Sequence, residues 1–464
     1  MPSLLSVSVT FFALLSLLAP VPVLAQAAAV DLTGHPLAPA ALAVFVAAYL
    51  AVVLEEKLHL RKSKPMLVAA GCIWIFVSLA AHQQGLDPLD HVLEKILAEY
   101  AALLLFLLVA MTYVSMMQER RVFMVLRAWL ISHGFSYRGL FWVTGILSFF
   151  LSAVADNLTT ALMMGAIVLA VTKKKPEFIT PALVNVVVAA NAGGAFSPFG
   201  DITTLMVWQA NKVAFFEFFA LFVPSVVNYL VPALLMTPFL PTGSPGSGEE
   251  QVDLRPGALS VCALFLCTVA LAIVFEHWLH LPPYLGMLTG LGLLMMYTWQ
   301  LKMRAGAYIP EQQQAYEQQY GKLDPFERVS DAEWDTLLFF FGVIFAVGGL
   351  GYLGYLQLLS GAMYGQLGHT WTHIGVGLVS AIIDNIPVMF SILDMNPEMS
   401  LYQWLLVTLT AGVGGSLLAV GSAAGVAMMG IAQGRYTFIG HLRWSWAVAA
   451  GYIASIITHY LING

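Results

Sequence analysis

Apolar runs close to the ~20 residues that a helix needs to cross a bilayer follow one another along this chain, among them Leu37 to Leu54, Met66 to Ala81, Tyr100 to Met117 and Tyr284 to Trp299. In lipid only helices and closed barrels leave no backbone amide unpaired. The runs lack the strict alternation that marks a barrel. Only 10% of the 464 side chains are charged and 59% are hydrophobic, far from the about 25% charged of soluble domains. The expected fold is therefore an all-α polytopic membrane protein embedded in the lipid bilayer. The net charge of −6 is spread over short loops, which suggests no nucleic-acid surface. Cys72, Cys262 and Cys267 sit in apolar runs and read as small buried hydrophobes, and no HExxH pattern or nucleophile with a positioned base occurs. No cofactor is implied, and the chain does not read as an enzyme.

Cytoplasmic loops carry the excess of Lys and Arg, and this threads the spans. Residues 1–25 combine an apolar core with Val23-Leu24-Ala25 and read either as a cleaved leader or as a first span. The loop from Lys57 to Lys64 and the one at Arg120 and Arg121 then fall inside. Val122 to Phe135 suits a helix lying in the inner interface. The run from Gly139 to Thr172 has basic residues at both flanks, Arg138 and Lys173 to Lys175. A re-entrant hairpin, about 139–172, keeps both flanks inside and places SAVADNLTT, Ser152 to Thr160, at its tip. About 179–210 follows as a span broken at NAGGAFSPFGDITT, Asn191 to Thr204, where three glycines and a proline unwind the helix. Residues 37–240 form the first repeat, and 241–255 read as a linker rich in Gly, Ser, Pro and acid.

The second half, 256–434, reads in the same way with opposite topology. Leu337 to Leu356 is read as one span, SAIIDNIPV as the tip of a hairpin at about 371–399, and GVGGSLLAVGSAAG as the break in a span at about 401–433. A last span covers 443–462. Ser152, Ala153, Asp156 and Asn157 align with Ser380, Ala381, Asp384 and Asn385; Gly193, Gly194 and Gly200 align with Gly414, Gly415 and Gly421 at a constant offset. Two inverted-topology repeats, each with a polar hairpin tip and a Gly-broken helix, point to a transporter with a midplane site.

The chemistry of that site follows from the residue types. A carboxylate at a helix centre in the membrane costs at least ~2.5–3.5 kcal/mol and persists where it finds a partner, yet no Lys or Arg lies in either hairpin or either break. Hard oxygens and a mobile cation are the available partners. Asp156 and Asn157, with Thr159, Thr160, Ser197, Thr203, Thr204 and freed carbonyls near Gly193 and Gly200, form a set suited to Na+ or Li+. Without the cation, a proton neutralises Asp156. The competing readings are that Asp156 and Asp384 cap exposed amides, that the paired glycines serve close packing, that Thr159 and Thr160 bond back to their own helix, and that Asp335 is a helix-terminal carboxylate.

ADNLTTALMMG, NAGGAFSPFGDITT and the second Asp-Asn pair resemble the NhaD-type sodium/proton antiporters of the ion transporter superfamily, from about Leu37 to the C-terminus. The resemblance implies ion-site or transport roles for Asp156, Asn157, Asn191, Asp201, Thr203 and Thr204, and extends to Ser152, Asp335, Ser380, Asn385 and Ser422. It also implies efflux of Na+ and Li+ against external H+ for sodium and pH homeostasis, a bacterial inner membrane and a homodimer. The second break has Leu418, Ser422 and Ala424 where the first has Ser197, Asp201 and Thr203, so the first copy is the expected seat of the cation, and Asp384 and Asn385 are expected either to complete it or to serve the proton. A sodium-coupled dicarboxylate symporter and an oxyanion exporter of the same superfamily are the alternatives; a carboxylate at the tip would repel the anion of the former.

Overall fold

The computed structural model describes residues 31–86, 89–171, 175–244, 252–305, 319–321 and 323–464, and every regular element among them is helical. Residues 1–25, the expected leader or first span, lie outside the described residues, as do Lys173 and Lys174 of the hairpin flank, residues 245–251 of the linker and residues 306–318 and 322 of the basic loop. Among the described residues seven helices are long and apolar enough to cross a membrane, and the chain is a multi-pass membrane protein.

The first half contains α1 (Ala38–Val53), α2 (Ser63–Gln83), α3 (Asp90–Glu119), α4 (Val122–Ser132), the pair α5 (Tyr137–Ala155) and α6 (Asn157–Val171), the pair α7 (Pro176–Gly194) and α8 (Ile202–Gln209), and α9 (Phe222–Met236). The second half follows the same order with α10 (Ala258–His277), α11 (Pro283–Arg304), the short α12 (Pro325–Ser330), α13 (Trp334–Tyr352), α14 (Tyr355–Gln366), α15 (Gly368–Ser380), α16 (Asn385–Met395), α17 (Leu401–Gly414), α18 (Ala423–Ala432), the short α19 (Phe438–Leu442) and α20 (Ser445–Asn463). Helix α14 stands in the order where α4 stands. The run from Leu337 to Leu356, expected as one span, is instead divided: α13 ends at Tyr352, and Gly354, with φ of 100°, starts α14. Only glycine takes that conformation without strain. Helix α3 begins ten residues before the apolar run from Tyr100, its first turns carrying the Lys95–Glu99 pair at 3.8 Å, a spacing that supports an exposed helix.

Helices α1, α2 and α13 pack together, as do α3, α10 and α11. Helices α5 and α6 both pack on α7, α15 packs on α17, and α9 packs on α20. The halves also exchange partners: α6 lies against α18 of the second half, and α16 lies against α8 of the first.

Glycines at the ends of α7 and α17 and in the segments that follow them explain how α5 and α15 come so close. A Cβ at Gly193 would lie 2.0 Å from the Phe149 carbonyl oxygen, and one at Gly414 would lie 2.2 Å from that of Gly377. At Gly200 it would meet the Ser152 carbonyl oxygen at 2.6 Å, and at Gly421 the Ser380 and Ala381 carbonyl oxygens, each at 2.6 Å. The contacts recur at equivalent positions in the two halves, and close packing, one of the two readings open from sequence, accounts for these glycines.

Adding a methyl group at such a contact forces backbone apart at about 1–3 kcal/mol or more. Gly193→Ala and Gly414→Ala are expected to lower the thermal midpoint of the detergent-purified protein. Gly292→Ala, where a Cβ meets nothing within 4 Å, should leave it within a degree or two. Equal midpoints for all three would refute this packing argument.

Candidate functional site

Four helix starts meet in one hydrogen-bonded cluster: Asn157 opens α6, Asp201 caps α8, Asn385 opens α16 and Ser422 caps α18. Each such end carries unpaired amides and a partial positive charge, a setting in which a buried anion is stable. That anion is Asp201, 3% exposed. Its Oδ2 accepts from Asn157 Nδ2 at 3.1 Å and from Asn385 Nδ2 at 3.0 Å. Its Oδ1 accepts from the Thr203 amide at 3.0 Å and from Asn385 Nδ2 at 3.3 Å. Two of these donors stand at the starts of α6 and α16, so one carboxylate joins both halves of the chain.

Asn191, at the end of α7, extends the cluster. Its Oδ1 accepts from Asn157 Nδ2 at 3.1 Å, and its Nδ2 donates to the hydroxyls of Ser416 and Ser422 at 2.8 and 3.0 Å. The second break thus contributes two hydroxyls that orient Asn191, and its Oδ1 faces the first hairpin tip. On α17, a Cβ at Gly412 would sit 3.6 Å from Asp201 Oδ2 and 3.9 Å from Thr203 Oγ1. The missing side chain leaves room beside the carboxylate. Among the described residues no three His, Cys, Asp or Glu side chains converge as a metal-binding group, and the oxygen ligands on offer are those of Asp201, Asn191, the serines and threonines.

The other expected residues stand around this cluster. Asp156, with φ of 53°, turns its carboxylate onto the amide of Thr159 at 2.8 Å, and Asp384 Oδ1 accepts from the Ile386 amide at 3.3 Å. Both carboxylates cap amides at a helix start, a role compatible with ion binding by the same groups. The Thr160 hydroxyl is buried without a hydrogen-bond partner; it does not bond back to its helix. Thr204 Oγ1 donates to the carbonyls of Ser197 and Asp201 at 2.8 and 2.6 Å, and the Ser197 hydroxyl accepts from the Phe199 amide at 3.3 Å. These bonds close the first break on itself. Ser152 and Ser380 donate to the carbonyls of Ala190 and Ala411 at 2.6 and 2.7 Å, equivalent contacts in the two halves. Asp335, in the first turn of α13, accepts from the Ser63 hydroxyl at 2.5 Å and ties α13 to α2.

Two members of the network escaped the sequence reading. Ser416 aligns with Ala195 of the first break, so repeat matching gave it no counterpart. Tyr49 of α1 accepts from the Asp384 amide at 3.2 Å; a lone tyrosine in an apolar run gives no signal of that contact.

Residues 3–412 match the family described as CitMHS, citrate transporter. The chain is 51% identical over 459 residues to the Na(+)/H(+) antiporter NhaD of Halomonas elongata, covering 96% of this chain and 93% of that protein. It is 52% identical over 447 residues to the protein of the same name from Vibrio cholerae, covering 94% of each. Against the sodium/proton antiporter 1 of Arabidopsis thaliana the identity is 32% over 435 residues, 90% of this chain and 72% of that one.

A hydrogen bond to a buried charge contributes about 1.5–3 kcal/mol. Asn157→Ala and Asn385→Ala are each expected to lower the thermal midpoint in detergent by several degrees. Ser391→Ala, whose hydroxyl bonds only the Pro387 carbonyl of its own helix, should change it little; a drop no larger for the asparagine variants would mean that the two amides do not hold the carboxylate.

Proposed function

The chain belongs to the CitMHS citrate transporter family and to the NhaD-type sodium/proton antiporters, and from that premise we propose that it exchanges cytoplasmic Na+ for external H+. The observation that carries this reading is the buried Asp201 held by amides from both hairpin tips. A carboxylate among neutral hard oxygens suits a small monovalent cation, and a proton satisfies it equally in charge. Na+ and H+ then compete for one site, and only a neutralised site crosses. Li+, smaller and equally hard, is a second cargo.

The sequence reading placed Na+ at Asp156 and Asn157. In this proposal Asn157 keeps its place beside the ion, Asp201 supplies the central charge, and Asp156 and Asp384 hold the hairpin tips in shape and add to the local negative field. Asn191 Oδ1 and the room at Gly412 complete the ion's surroundings. We further infer that the two halves have inverted topology and that α5–α6 and α15–α16 are re-entrant hairpins: the basic flanks of the first, the acidic flank of the second and the equivalent glycine contacts in both halves support this. The bacterial relatives favour the inner membrane, where outward Na+ traffic serves sodium and pH homeostasis. A homodimer would find in α10 the most exposed of the long apolar helices.

Carriage of citrate, the cargo in the family's description, fits this site less well. The amides that would greet an anion already donate to Asp201, and a second carboxylate beside it is repelled. Everted vesicles from a strain lacking its own antiporters, with a dye reporting the pH gradient, decide between the two. Na+ or Li+ should dissipate the gradient and citrate should not, while Asp201→Asn should lower the Na+ response at least 100-fold in rate. A response to citrate alone would contradict the antiporter reading.

A further inference from the structure

His441 is fully buried on α19. Its Nε2 lies 2.9 Å from the Ser416 carbonyl oxygen and its Nδ1 lies 2.6 Å from the hydroxyl of Tyr436, itself 1% exposed. A carbonyl only accepts, so Nε2 carries the proton; in the neutral ring Nδ1 then accepts from Tyr436. The tautomer is set by its two partners.

Ser416 lies in the second break, where unwinding frees carbonyls that the helix would otherwise use. His441 takes the carbonyl of Ser416, and the Ser445 hydroxyl takes that of Leu417 at 2.6 Å. Two successive freed carbonyls are thereby satisfied from α19 and the start of α20. The hydroxyl of the same Ser416 accepts from Asn191, whose Oδ1 accepts from Asn157, which donates to Asp201. The imidazole is thus linked to the central carboxylate through the Ser416 backbone and hydroxyl and two asparagine side chains. In the first half the short helix at Phe215–Leu221 offers no imidazole, and Ala195 stands where Ser416 stands. The device belongs to one half only.

We propose that His441 is a positioning residue for cation binding. By holding the Ser416 backbone it fixes the serine hydroxyl against Asn191 Nδ2 and so keeps Asn191 Oδ1 turned toward the first hairpin tip. It also withdraws the Ser416 carbonyl from the set of oxygens open to a cation. Tyr436 in turn holds the ring in the tautomer that can donate. The imidazole touches neither the carboxylate nor its amide donors in these contacts, and its effect passes through Ser416.

The proposal rests on the Na+/H+ reading, and the wild-type protein in the same everted vesicles tests that reading separately: no Na+ response from wild type refutes the exchange, whatever His441 does. Given that response, His441→Leu should raise the Na+ concentration for half-maximal response about five- to tenfold, the worth of one hydrogen bond, with a smaller change in maximal rate. His441→Gln, whose amide can still donate to the carbonyl, should recover most of the loss. Ser416→Ala should raise the half-maximal concentration by itself, and adding His441→Leu to it should raise it little further, because both act through one contact. Vesicle content of each variant is matched by immunoblot. An unchanged half-maximal concentration in His441→Leu, failure of His441→Gln to recover it, or independent multiplication of the two effects in the double variant would overturn the proposal.

Discussion

A carboxylate removed from water inside a membrane protein is unstable unless every lone pair finds a donor, and the arrangement of this chain is built to meet that demand at Asp201. The donors come from far apart in sequence: Asn157 and Asn385 at the hairpin tips and Thr203 at the start of α8. No single half of the chain supplies them all. The four helix starts that meet there add partial positive charge, and the ends of the preceding helices bring Asn191 and the break serines. The exchange of partners between halves, α6 on α18 and α16 on α8, is the packing that lets both tips reach one carboxylate.

Close approach has its own requirement. Helices α5 and α15 come against α7, α17 and the segments after them where Cβ atoms are missing, and Gly193, Gly200, Gly414 and Gly421 stand at those contacts. The same residues that unwind the helix therefore also set the distance between tip and break. Seen this way, the glycines position the amides of Asn157 and Asn385, and the polar cluster depends on apolar packing a few residues away.

Much of this was legible in the sequence because polar residues and glycines stand out in an apolar background. The Asp-Asn tips, the two breaks and their order were visible as repeated departures from a greasy pattern. Which carboxylate occupies the centre was not. Asp156 and Asn157 are adjacent, and neighbours on a helix start face different ways: Asn157 reaches Asp201, while Asp156 turns back on the Thr159 amide. Ser416 was hidden by its alanine counterpart, and α14 by an apolar run that continues past Gly354 without a polar interruption. Burial and tertiary hydrogen bonding decide these points, and neither has a local sequence signature.

The central claim is that Na+ and a proton exclude one another at a carboxylate shared by both halves. A cation that displaces a proton must release it to solution on binding. Purified protein in weakly buffered detergent solution, given NaCl, should acidify the medium in proportion to Na+ bound, with choline chloride giving nothing and Asp201→Asn giving no release. Saturable Na+ binding that releases no proton from the wild-type protein at any pH would contradict the account.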